Sequence, residues 1–335
     1  MTQASPHTVF QELSPAQAAG DPPRIAVLVP CHNEEAAIGQ VVRDFTRHLP
    51  QAQIFVYDNN SSDRTVEVAR AAGARIGRES LQGKGNVVRR MFADIEADAY
   101  VLVDGDNTYD AASAQAMIDR LFEAGLDMVT GTRVTEIRAA YRPGHRFGNV
   151  VLTGMVTRIF GKRMTDMLSG YRVFSRRFVK SFPALSAGFE TETELTIHAL
   201  ELRMPLGEMN TPYRDRGEGS TSKLSTYRDG ARIFLTILHL VKEERPLQFF
   251  SIIAAILFMT GLVLGIPLVI EFRRTHLVPR LPTGVLATGI MMLSFLSLVC
   301  GLILDSVSRG RKEIKQIAYL AAGQPASAAS RRTWT

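Results

Sequence analysis

Apolar positions along the chain follow two different rhythms. Up to about residue 131, short continuous apolar runs alternate with stretches in which apolar residues return every three or four positions. "RIAVLVP" (24–30), "QIFVYD" (53–58), "AYVLVD" (99–104) and "LDMVTG" (126–131) are of the first kind and predict strands. Residues 34–48 carry Ile38, Val41, Val42 and Phe45 at helical spacing. A further helix is expected after "SSD" (61–63), and Val87, Val88, Met91, Phe92 and Ile95 mark another. A strand that is apolar on both faces is covered on both faces. The alternation therefore predicts an α/β fold, a mostly parallel Rossmann-like sheet with helices on each side.

The second rhythm begins near residue 249. "FFSIIAAILFMTGLVLGIPLVI" (249–270) and "GVLATGIMMLSFLSLVCGLIL" (284–304) carry no charge and are each long enough to cross a bilayer. They predict a two-helix transmembrane hairpin over 248–305. Just before it, Ile233, Phe234, Ile237, Leu238 and Val241 fall on one helical stripe, which suggests an amphipathic interface helix over 228–247. Residues 1–22 are expected to be a disordered tail without a signal peptide, residues 23–227 the soluble domain, and residues 306–335 a cytoplasmic tail.

Composition narrows the picture. The net charge of +6 on 335 residues, with no aromatic-interleaved basic stripe, argues against nucleic acid and suits phosphates or lipid headgroups. Two cysteines, Cys31 and Cys300, give no disulfide framework. The basic flanks of the two spans are only weakly asymmetric. The lack of a signal peptide and the free Cys31 therefore suggest a multi-pass protein of the inner or plasma membrane, with its soluble domain in the cytoplasm. Gly261, Gly265, Gly284 and Gly289 in the spans leave a homo-oligomer open.

The chemistry collects where the strands end. Their exits read "PCHNE", "YDNNSSD", "DGDNTYD" and "GTR", and ligands of open parallel sheets bind at such carboxyl ends. Asp104 and Asp106 are alternate residues whose like charges raise each other's pKa unless a cation lies between them. Hard carboxylate oxygens beside a phosphate substrate suit Mg²⁺ or Mn²⁺. "GRESLQGKG" (77–85) has the wrong spacing for a phosphate loop, "GKGNVV" lacks the third glycine of a dinucleotide fingerprint, and no Gly-x-Ser-x-Gly elbow occurs.

"VPCHNEEAAIGQVV", "VYDNNSSDRT", "GKG", "VDGD", "GTR", "DMLSGYRVFSRR" and "YRDRGEGSTSKL" follow one another in this order. Together they resemble family 2 glycosyltransferases of the GT-A fold, and within them the membrane-anchored polyprenyl- or dolichyl-phosphate sugar synthases. The resemblance implies a nucleotide-sugar donor bound by Pro30, Asn33, Glu34, Asp58, Asp63, Lys84 and Asp104. Asn59-Asn60 replaces the family's usual Asp-Gly after the base-reading aspartate, Asp58. A metal would sit on Asp104 and Asp106, and Thr108 stands where some relatives have a glutamine ligand. Asp106, Arg133 and Asp166 would serve catalysis, Asp166 as base or as the group that orients an arginine. Arg146, Arg172, Arg216, Ser222 and Lys223 would bind the acceptor phosphate. Relatives with hydroxyl acceptors use a carboxylate base near "GFETETEL" (188–195), where Glu192 and Glu194 lie; Glu192 also reads as an acid of a helix start.

The expected reaction is inverting transfer of one sugar, glucose or mannose, from a UDP- or GDP-sugar to undecaprenyl or dolichyl phosphate at the cytoplasmic face. Transfer to a hydroxyl acceptor and sugar nucleotidyl transfer are the alternatives.

Overall fold

The computed structural model describes residues 22–134, 165–185, 191–214, 242 and 245–322. Arg146, Arg216, Ser222 and Lys223 lie outside the described residues, as does nearly all of the expected interface helix. The described residues fall into two units, 22–134, 165–185, 191–214 and 318–322 in the first, 242 and 245–317 in the second.

In the first unit the strands are β1 (Ile25–Cys31), β2 (Ala52–Asp58), β3 (Arg75–Arg78), β4 (Ala99–Leu102), β5 (Met128–Val134), β6 (Arg172–Ser175) and β7 (Leu206–Pro212). They form one sheet in the order β3-β2-β1-β4-β6-β5-β7. Only β6 runs against the others. The helices are α1 (Glu35–His48), α2 (Thr65–Ala71), α3 (Lys84–Asp94), α4 (Ser113–Glu123), α5 (Arg176–Ser181) and α6 (Thr191–Glu201).

Alternate residues of each strand face opposite layers. Val27, Val29, Val101 and Val173 join Ile38, Val42 and Phe45 of α1 and Met117 and Ile118 of α4 in one core. On the other face Phe92 of α3 meets Tyr100 and Phe174 edge-on, and Phe174 stacks on Phe178 of α5. At roughly 1.5–3 kcal/mol per buried large side chain, both layers hold the sheet firmly.

Register brings the strand exits together. Cys31 pairs with Asp58, and Leu28 pairs with Leu102. The order of strands reverses at β1, between β2 and β4, the kind of switch point where open sheets take ligands. Because β6 is antiparallel, the loop before it, 165–171, arrives at this same edge. β4 stops at Leu102, earlier than its apolar run, so Val103 and the two aspartates belong to the turn. β5 continues through Val134, so Arg133 lies within the strand and not after it.

The second unit is an antiparallel-connected pair, α7 (Pro246–Thr275) and α8 (Leu281–Ala321). Both are long and apolar enough to cross a membrane. At 1.5 Å per residue α7 is about 45 Å long, against a hydrocarbon core of about 30 Å. Ser294 Oγ donates to the Ala254 carbonyl at 2.7 Å and Ser297 Oγ to that of Phe250 at 3.1 Å. Gly261 lies against Met291 of the same hairpin. Ile252, Phe258, Val263, Leu293 and Phe295 are exposed, the surface that lipid would cover.

α8 does not end at 305 but runs on to Ala321. Its last residues count with the first unit, where Tyr319 donates to the buried Asp127 at 2.8 Å and stacks under Arg177.

Candidate active site

The exit of β4 is built around Asp104. Lys84, the first residue of α3, places its Nζ 2.5 Å from Asp104 Oδ1 and 2.5 Å from Glu192 Oε1. All three side chains are largely shielded from water. Burial alone pushes the Lys84 pKa down, but Asp104 and Glu192 outweigh it and hold the ammonium charged, above its ordinary range. Gly170 stands on the other side of the carboxylate. A Cβ there would lie 2.3 Å from Asp104 Oδ2, so only glycine lets the loop before β6 approach this closely.

Asp106 is 9% exposed, and its Oδ1 accepts from the Thr108 hydroxyl at 2.7 Å and the Thr108 amide at 3.3 Å. Thr108 is itself buried. It therefore orients Asp106. Between them Asn107 adopts a left-handed φ of 58°, which asparagine tolerates better than most residues.

The second half of the site is a fork. Arg133 Nε and Nη2 reach Asp166 Oδ2 and Oδ1 at 2.7 and 2.8 Å, a bidentate pair that fixes the guanidinium plane. The plane also lies 5.7 Å from the Tyr213 ring centroid. Tyr109 links the halves. Its hydroxyl accepts from the Gly170 amide at 2.9 Å, and its ring packs on Tyr171 and Tyr213. Burial first, then the Asp104 charge, push its phenol well above the ordinary range, while Arg133 and Lys84 pull the other way.

The exit of β2 is held by local hydrogen bonds. Asp58 Oδ1 accepts from the Ser61 amide at 3.1 Å. Asp63 accepts from the amides of Thr65 and Glu35 at 3.0 and 3.1 Å. Burial opposes ionisation of Asp63, yet the hydrogen bond from the Thr65 hydroxyl, with those from the two amides, prevails and holds its carboxyl below the usual range. Asn33 Oδ1 takes the Ser62 amide at 2.8 Å, and Glu34 donates its own amide to Thr65 Oγ1 at 2.9 Å. Pro30 is half-buried in β1 beside Tyr57.

The Asn59-Asn60 pair has a visible task. Asn59 Nδ2 donates to the carbonyls of Glu79 and Leu81 at 2.8 Å each, and its Oδ1 accepts from the Gly83 amide at 2.7 Å. Asn60 Nδ2 reaches the Ser80 carbonyl at 2.8 Å. The pair thus clamps the loop that delivers Lys84, and Gly83 makes the turn into α3 at a φ of 130°.

These features can be set beside known proteins. The sequence profile described as glycosyl transferase family 2 matches residues 26–182. The glycosyltransferase AglJ of Haloferax volcanii is 33% identical over 302 residues, 89% of this chain and 99% of AglJ. The chain belongs to glycosyl transferase family 2. A dolichyl-phosphate hexose transferase of the same organism is 30% identical over 221 residues, 66% of this chain and 95% of that one. Among solved structures, the glucosyl-3-phosphoglycerate synthase of Mycobacterium tuberculosis, in complex with Mn²⁺, UDP and phosphoglyceric acid, has a TM-score of 0.55. It is 23% identical, with 72% of this chain and 84% of that one covered. The transferase therefore has the expected GT-A fold, extended by two apolar C-terminal helices.

One residue expected to bind the acceptor phosphate has its guanidinium engaged within the domain. Arg172 of the transferase is fully buried. Its donors go to the carbonyls of Ser169 and Met167 at 2.9 and 2.6 Å and to Thr196 Oγ1 at 2.8 Å. Burial lowers its pKa to about 10. The structure gives Arg172 the work of fastening the loop before β6 to α6, and it is not carried into the acceptor site. Conversely, the pairing of Glu192 with Lys84 is not expected from either reading of Glu192, as a base or as a helix-start acid. Its partner Lys84 lies 108 residues away, a distance no local pattern reveals.

Asp104 and Asp106 also fit a divalent cation by their chemistry. Both offer hard oxygens, and Asp104 already receives a cation in the Lys84 ammonium. Among the described residues no group of three His, Cys, Asp or Glu gathers to hold a metal. An ion here would complete its shell with substrate phosphates and water, as Mg²⁺ commonly does.

Proposed function

We propose that the transferase moves a single hexose, glucose or mannose, from a UDP- or GDP-sugar to a polyprenyl phosphate, with inversion, at the cytoplasmic face of the membrane. The observation that carries the lipid acceptor is the apolar hairpin of α7 and α8 in the same chain as a family 2 domain. The name of the dolichyl-phosphate hexose transferase relative supports it. The buried, free Cys31 suits a reducing compartment.

In this reading a lipid phosphate oxygen bonds to the anomeric carbon while the bond from that carbon to the nucleoside diphosphate breaks. The acceptor is already an anion, so no general base is needed. Mg²⁺ or Mn²⁺ held by Asp104 and Asp106 would neutralise the departing diphosphate. Asp166 orients the Arg133 fork, which meets phosphate oxygens at the same edge. Pro30, Asn33, Glu34 and Asp58 line the donor side, where Asp58 is the base-reading carboxylate and Asp63 shapes the loop. Arg146, Arg216, Ser222 and Lys223 are assigned to the acceptor phosphate on the strength of the family resemblance.

The test is direct. Purified full-length protein is incubated with Mn²⁺, short polyprenyl phosphate and a panel of labelled nucleotide sugars. One donor should yield an organic-soluble, mild-acid-labile product. No lipid product from any donor would overturn the proposal.

A further inference from the structure

Lys84 is a residue held between two carboxylates with different surroundings. Asp104 belongs with Asp106 at the β4 exit, whereas Glu192 comes from the first turn of α6. Glu192 is 6% exposed, and its Oε1 faces the same ammonium at the same 2.5 Å. The loop leading to Lys84 is clamped by Asn59 and Asn60, so the ammonium is delivered by fixed backbone on a flexible four-carbon stem. Two anions around one buried ammonium leave a net negative pocket. A dication arriving at Asp104 and Asp106 would neutralise the negative charge that the ammonium meets there.

Resting on the metal-dependent reading above, we propose that Lys84 is the internal counter-ion of Asp104, exchanged between the metal carboxylate and the donor diphosphate, with Glu192 as the positioning residue that keeps it at the site during the exchange. In the metal-free protein Lys84 neutralises Asp104. Metal binding displaces it from Oδ1. Glu192 retains it, and its ammonium then pairs with the phosphate oxygens brought by the nucleotide. The lysine therefore opposes the metal alone and assists the nucleotide once the metal is bound. A lysine that only braced the fold would not act in opposite directions on these two equilibria.

The experiment measures Mn²⁺ binding to purified full-length protein by the loss of the free-ion electron paramagnetic resonance signal. It then measures binding of UDP and GDP at saturating Mn²⁺ by calorimetry. Lys84→Met should tighten Mn²⁺ alone about tenfold and weaken the preferred nucleoside diphosphate about tenfold, ordinary sizes for a coupling between two ligands. Lys84→Arg should restore both toward wild type. In Glu192→Gln the nucleotide should weaken while circular dichroism stays unchanged.

Folded Lys84→Met with Mn²⁺ affinity unchanged or lowered would overturn the exchange, while the proposal of sugar transfer to a lipid phosphate would stand. Effects of the same sign on metal and nucleotide would overturn it too. Wild-type protein that binds no Mn²⁺ would overturn both the exchange and the metal-dependent reading.

Discussion

The exits of β2 and β4 look alike as sequence and behave differently as structure. Each presents aspartates beside asparagine at the end of an apolar strand. At the β2 exit the carboxylates accept from amides of their own turn and of the neighbouring α1 start, as Asp58 does from Ser61 and Asp63 from Thr65 and Glu35. At the β4 exit Asp104 is met by a lysine ammonium from 20 residues upstream. An acid satisfied by neutral local donors holds a loop together. An acid that draws in a buried cation from another element marks where the fold concentrates negative charge, and there a charged ligand changes most.

The contrast can be broken by mutation. Asp104→Asn should have the largest effect, a loss of turnover of about a hundredfold or more, the scale of removing one preorganised electrostatic group. Initial rates of sugar transfer with unchanged circular dichroism check it. Arg133→Lys keeps the charge but loses the two-point fork on Asp166. Turnover should fall on the order of tenfold, because a point charge replaces a fixed plane. Asp166→Asn should give a similar loss if its task is to orient that plane.

On the β2 side the changes are smaller. Asp58→Ala should raise the donor KM roughly fivefold with kcat held, the size of one lost hydrogen bond. Asp63→Asn should mainly cost stability, about 1 kcal/mol. Its pH dependence has a definite sign. The folded pKa is lowered, so the stabilisation is complete above the ordinary carboxylate value of about 4 and disappears as pH falls through the folded value. Thermal melts of wild type and Asp63→Asn should therefore converge as pH falls below about 4.

The same physics explains what was legible in advance. β1, β2 and β4 were readable because both faces are covered, which demands unbroken apolar residues. β3, "RIGR", is a four-residue edge strand with one large apolar side chain and gave no such run. β6 escaped notice because Arg172 interrupts its hydropathy. Its guanidinium is buried by satisfying it with carbonyls, a solution invisible to a hydropathy pattern. β7 is the opposite edge and carries Glu208 and Asn210 among its residues.

In the site, Asp104, Asp106, Lys84, Arg133 and Asp166 were all singled out by strand-exit position and motif. Their pairing was not, since Lys84 to Glu192 and Arg133 to Asp166 are tertiary contacts. Thr108 illustrates the limit of carrying a ligand over by position. It stands where some relatives place a metal ligand, yet here its hydroxyl holds Asp106.

The central claim is that the nucleophile is a phosphate on a lipid, so the acceptor itself should be varied. The purified transferase is given its preferred nucleotide sugar and Mn²⁺, with equal amounts of a short polyprenyl phosphate and the corresponding polyprenol. The account predicts that label enters only the phosphorylated lipid, as a phosphodiester identified by phosphorus magnetic resonance. Transfer to the free alcohol at a comparable rate would contradict it.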